Sequence, residues 1–70
     1  MVEFKNFCFN VRYLAFARFE RNGERGIIKI GVLSKDHYEE YIQEYNNWTD
    51  GDSDFYILLK HINYEREKSA

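Results

Sequence analysis

The stretch Ser34–Trp48, SKDHYEEYIQEYNNW, decides how the rest of this 70-residue chain is read. Tyr38, Tyr41, Ile42, Tyr45 and Trp48 recur at spacings that place them on one stripe of an α-helix. Glu39, Glu40, Gln43, Glu44, Asn46 and Asn47 then turn toward solvent. Ser34 suits an N-cap, Asp36 puts a carboxylate near the positive end of the helix dipole, and Leu33 packs onto Tyr38. The expectation is a helix over 34–48 whose apolar stripe lies on a sheet.

The flanks supply that sheet. Over 7–20, Phe7, Phe9, Val11, Tyr13, Ala15, Ala17 and Phe19 share one parity, which predicts a long strand with one apolar face. Asn22-Gly23 then marks a hairpin turn into a second strand over 24–33. A two-residue Asn22-Gly23 loop sets Phe19 opposite Gly26, Ala17 opposite Ile28, Ala15 opposite Ile30 and Tyr13 opposite Val32. The small alanines leave a trough for Tyr41, Ile42 and Tyr45. TDGDSD, Thr49 to Asp54, reads as a polar turn that stops the helix, and 55–64 as a last strand apolar on both parities. Residues 65–70 read as a charged tail. The fold class is therefore α+β: a three-stranded antiparallel or mixed sheet, β-β-α-β, order 2-1-3, with one helix packed on one face. A single domain over 1–70 is expected, without room for a linker or a cleavable leader.

A domain this small buries only about 60% of the surface its unfolded chain exposes. Its 13 aromatic residues, six Phe, six Tyr and one Trp, are what fills the core. Cys8 is the only cysteine, so neither an intrachain disulfide nor a thiolate cluster can form; the expected setting is the cytoplasm. No apolar run approaches the roughly 20 residues that span a bilayer, so no membrane partner is expected. Net charge is −2, unevenly spread: six cations face three carboxylates over 1–33, and four face nine over 34–70. Such a field biases which partners are met.

With one sheet face covered by the helix, the other is expected to display Arg12, Leu14, Phe16, Arg18, Arg25, Ile27 and Lys29. Aromatic and arginine enrichment on a contiguous face is the composition of an interface, so Arg12, Leu14, Phe16, Arg18, Ile27 and Lys29 form the first candidate partner surface, for a protein or a second copy of the chain. The bland alternative is that Val2 to Phe9 fold back over it. A nucleic-acid reading uses the same face, with Phe16 and Tyr56 stacking on bases and Arg12, Arg18 and Lys29 meeting phosphates. The second candidate is an acidic ridge of Glu39, Glu40, Glu44, Asp50, Asp52 and Asp54, fit to dock on a basic groove.

Chemistry is sparse. Asp50, Asp52 and Asp54 have the first spacings of a calcium loop, but Phe55 stands where glycine is needed and His61 where a glutamate is needed. His37 and His61 have no paired spacing with Cys8, and a small buried thiol is the ordinary reading of that cysteine. No catalytic residue, cofactor or metal is expected.

In element order, VRYLAFARFERNGERGIIKIGVL, then a capped helix ending in NNW, then DFYILLKHINY, resembles several small phage-encoded proteins that bind and block a host polymerase, a toxin or a defence nuclease. The resemblance covers nearly the whole chain and transfers no functional residue. It implies a non-enzymatic, stoichiometric inhibitor of a host or defence protein, antitoxin-like, acting in the host cytoplasm by surface occlusion. A small RNA or single-stranded DNA binder is the alternative.

Overall fold

The computed structural model describes residues 1–69. The elements run β1 (Val2–Phe4), β2 (Phe7–Phe9), a 3-10 turn (Val11–Tyr13), β3 (Leu14–Asn22), β4 (Arg25–Ser34), β5 (His37–Tyr45) and α1 (Trp48–Ser69). β3, β4 and β5 form an antiparallel sheet with β4 in the middle, and β1 and β2 form a separate ribbon. The α+β class and the three-stranded sheet with one helix are as expected, but the placement of helix and strand is not.

The helix expected over 34–48 is strand β5, and the strand expected over 55–64 lies inside α1. The order 2-1-3 gives way to a meander, because β5 returns through a two-residue turn, Lys35-Asp36, between the paired residues Ser34 and His37. Tyr and Ile favour strands, and pairing along nearly the whole of β4 overrides the helical spacing of the β5 side chains. Tyr41 and Tyr45 face the core with Glu39 and Gln43, whereas Tyr38 and Ile42 face out with Glu40 and Glu44. The strand expected over 7–20 is broken into β2, the 3-10 turn and β3; the Asn10 side chain accepts the Arg12 N–H at 3.0 Å and turns the chain there. The tail expected over 65–70 continues α1 as far as Ser69, and Ala70 lies outside the described residues.

The β3–β4 hairpin exists, with its register displaced by two. Phe19 pairs with Ile28 and Ala17 with Ile30, because the loop is Gly23-Glu24 instead of Asn22-Gly23. Gly23 takes φ 62° and Glu24 does not turn left-handed, the pattern of a type II′ turn. A slip of two preserves which residues share a face. Between Leu14 and Phe16 a bulge at Ala15 reverses the alternation, so Leu14 sits opposite Val32 on the core side.

TDGDSD opens α1; it does not end a helix. Asn47 caps it: the side-chain oxygen accepts from Thr49 N–H at 3.0 Å and Thr49 Oγ1 at 2.8 Å. Asp50 lies in the first turn, and Arg66 and Lys68 in the last, all favourable to the helix dipole. The inward positions, Gly51, Phe55, Leu58 and Ile62, follow helical spacing. Gly51 is needed for close approach, since a Cβ there would meet Phe19 Cε1 at 2.7 Å and Tyr45 Cδ1 at 3.0 Å.

The core consists of Val2, Phe4, Phe9, Val11, Ile28, Ile30, Leu58 and Ile62. Both α1 and the β1–β2 ribbon therefore cover the same side of the sheet. Three contacts tie the ribbon down: Phe7 stacks on Tyr41 at 5.0 Å, Lys5 Nζ reaches Asp54 Oδ2 at 3.0 Å, and the Met1 ammonium meets Glu65 at 2.6 Å. Val2 to Phe9 do fold back, but onto the face that the helix already covers.

Two measurements test this architecture. Asn47→Ala should cost about 1 kcal/mol, or roughly 4–8 °C in Tm, while Ser34→Ala changes little; the reverse ranking would restore the helix at 34–48. The second concerns acid. The Tyr45 hydroxyl at 2.7 Å, and after it Lys5, hold the Asp54 carboxyl below its ordinary 3.8. A depressed carboxyl stabilises the fold above its unfolded pKa, and that contribution is lost as pH falls through the lower folded value. Asp54→Asn should thus lower Tm at neutral pH and flatten its decline below about pH 4.

Candidate functional site

The side of the sheet opposite α1 is covered by no described part of the chain. The register places Phe16, Gly31 and Glu40 in one row across it, Arg18, Lys29 and Ile42 in the next, and Glu20, Ile27 and Glu44 in a third. Leu33 and Tyr38 close one end. Leu33, Tyr38 and Ile42 are 53%, 48% and 50% exposed, high for large apolar groups on paired strands. Phe16 lies flat over Gly31, where a Cβ would come within 2.3 Å of its ring, and Arg18 stacks on the same ring at 4.7 Å.

Of the six residues expected on this surface, Phe16, Arg18, Ile27 and Lys29 are brought together and two are not. Arg12 is in the 3-10 turn, outside the sheet, and the Ala15 bulge turns Leu14 into the core side. Arg25 lies at the end of the face, opposite Asn22. Tyr56 is on α1, so the pair of stacking rings required by the nucleic-acid reading does not share a surface. The residues missed are Leu33, Tyr38 and Ile42. The strand preference of Tyr38, Tyr41, Ile42 and Tyr45 is the available signal, and the helical spacing of the same side chains masks it.

The acidic ridge is divided. Glu40 and Glu44 project onto the open face, whereas Glu39 turns to the core side, where it accepts the Tyr41 hydroxyl at 2.6 Å and contacts His37 Nε2 at 2.7 Å. These contacts, Tyr41 first, hold the Glu39 carboxyl below its usual range. Asp50 and Asp52 are exposed on the first turns of α1, and Asp54 is engaged by Tyr45 and Lys5. Burial, reinforced by Asp54, pushes the Tyr45 phenol up.

The charges of the open face are segregated. Glu20 takes Lys29 at 3.1 Å and lies 3.9 Å from Arg18, so the cations are drawn toward β3. Glu40 and Glu44 remain along β5. Cys8 is exposed, which corrects the buried-thiol expectation, and it shares a shallow depression with His37, Glu39 and Tyr41. Among the described residues no group of three His, Cys, Asp or Glu side chains could hold a metal ion, and no helix is long and apolar enough to cross a membrane.

A second apolar area lies on the outer side of α1, where Tyr56, Ile57 and Tyr64 are 60%, 62% and 58% exposed. Its rings are partly occupied by the chain's own cations, Lys60 over Tyr56 at 4.9 Å and Lys68 over Tyr64 at 5.4 Å. Compared with known proteins, the chain matches no family model, no curated protein and no solved structure.

On the open face the Tyr38 hydroxyl donates to Glu40 at 2.9 Å, and that bond raises the phenol above its ordinary 10.0 because only the neutral form can donate. Glu40→Gln should bring the Tyr38 titration, followed by NMR, back down toward 10.0.

Proposed function

We propose that this chain is a small non-enzymatic protein-binding module that works by occupying a surface on a larger protein through the open face of its sheet. One observation carries the reading: the helix and the terminal ribbon both pack on the far side, leaving Phe16, Ile27, Leu33, Tyr38 and Ile42 in contact with solvent. Exposed apolar and aromatic side chains gathered on one face, interleaved there with Arg18, Lys29 and Glu40, suit an interaction surface on a small domain. A cytoplasmic inhibitor of a host or defence protein is a narrower version of this proposal. The likeness to phage-encoded inhibitors rested on the order hairpin, helix, strand; the observed order, ribbon, meander, helix, removes that support.

The test pairs two variants. Leu33→Asp alters an exposed position, so its stability should stay within about 0.5 kcal/mol of the parent. Proteins captured by the immobilised parent chain should be lost by Leu33→Asp and kept by Tyr56→Asp on the outer side of α1. The opposite pattern would move the contact to the helix. Sedimentation of the free chain reads the homodimer directly: a dimer dissolved by Leu33→Asp would make a second copy the occupant of the face.

A further inference from the structure

We propose that the outer edge of β5 docks an extended cationic segment of the partner, which joins the sheet as a fourth strand. This rests on the reading of the open face as a protein-binding surface and names the chemistry of what binds beside it.

The argument starts from the main chain. In an antiparallel ladder, hydrogen-bonded pairs alternate with non-bonded ones, and a two-residue loop closes on a bonded pair. With Asn22–Arg25 and Ser34–His37 as closing pairs, Arg25, Ile27, Lys29 and Gly31 bond to β3, while Gly26, Ile28, Ile30, Val32 and Ser34 bond to β5. Tyr38, Glu40, Ile42 and Glu44 must then direct their N–H and C=O groups away from the sheet. Among the described residues, the backbone bonds outside the regular elements involve Tyr13, Trp48, Asp50 and Gly51 as donors, with nothing from β5. Only the Glu44 carbonyl has a neighbour, the Gln43 amide at 3.4 Å.

Exposed edges are ordinarily blunted by proline, lysine or a bulge. β3 has its bulge at Ala15, and arginines at positions 18 and 21. β5 runs unbulged over nine residues with no proline, lysine or arginine. Its only charges, His37 aside, are Glu39, Glu40 and Glu44. Two β5 edges placed together would set these carboxylates along one seam, which disfavours a second copy and favours a cationic strand. Beside the free main-chain groups on the open face, Tyr38 is followed at two-residue steps by Glu40, Ile42 and Glu44, and the last three set the pattern a docked strand must match. The complementary segment is therefore cation, any residue, apolar, any residue, cation. Lys29, adjacent to Ile42, does not neutralise this edge because Glu20 holds it toward β3.

The probe is a capped heptapeptide, Thr-Arg-Thr-Ile-Thr-Arg-Thr, titrated into the full chain and followed by amide NMR. Shifts confined to β5 and the adjoining open face are expected. Affinity should fall at least about tenfold when salt is raised from about 0.01 M to about 1 M, as the screening length shrinks from about 30 Å to about 3 Å. Glu40→Lys combined with Glu44→Lys should weaken binding by a similar factor, and N-methylation of the peptide amides facing β5 should abolish it. Absence of β5 shifts at millimolar peptide would overturn the proposal, as would equal binding of the N-methylated peptide. A dimer joined at β5 in the free chain would also overturn it, in favour of self-pairing. None of these three results touches the Leu33→Asp capture experiment, so the edge can fail while the face survives.

Discussion

Ile28 and Ile30, the inward pair on the middle strand, are fully buried, and the rest of the molecule is arranged to keep them so. Each fully buried isoleucine is worth about 1.5–3 kcal/mol, a large share of what a domain this size can gain. Leu58 and Ile62 come down on them from α1, and Val2, Phe4 and Phe9 come in from the ribbon. Two separate covers converge on one side of the sheet, and neither reaches the other side. The first turn of α1 is seated by Gly51 against the rings of Phe19 and Tyr45, and Trp48 N–H donates to the Glu24 carbonyl at 2.6 Å, locking the helix start to the hairpin loop.

How much of this was legible depends on which period each segment could satisfy. The β3–β4 pair was readable because Ile28, Ile30 and Val32 alternate cleanly, and its two-residue slip in register left the facing parity unharmed. Positions 37–45 were not, because Tyr38, Tyr41, Ile42 and Tyr45 share a helical stripe but fall on both parities of a strand, and an edge strand that carries Glu39 and Gln43 on its inward side lacks the contrast that would decide the matter. The turn before it gave no glycine or asparagine signal, since Lys35 itself takes φ 46°. The cap at Asn47 with Asp50 three residues on was a helix start in plain view. Phe55, Leu58 and Ile62 continue it at helical spacing, and only the apolar look of both parities over 55–64 suggested a strand.

The candidate surface was half legible for the same reason. Phe16, Arg18, Ile27 and Lys29 belong to strands whose parity was right. Arg12 and Leu14 failed where the chain departs from regular geometry, at the Asn10 turn and the Ala15 bulge. Ile42 and Tyr38, assigned to a helix stripe, were expected inside. The open face is consequently more apolar along β5 than the sequence suggested, and its positive charge is more fully compensated, with Glu20 between Arg18 and Lys29.

The extra residue at position 15 decides which side chain enters the interior at this end of β3. By absorbing one step of the pleat it lets a leucine, instead of an alanine, lie opposite Val32 in the interior. Without Ala15, Leu14 would still lie opposite Val32 and the pairs from Phe16 to Asn22 would stand, with the strand straightened between them. The kink thus lets Leu14 and Phe16, two residues apart in the chain, sit on opposite sides of one sheet, the first in the interior and the second on the outer surface.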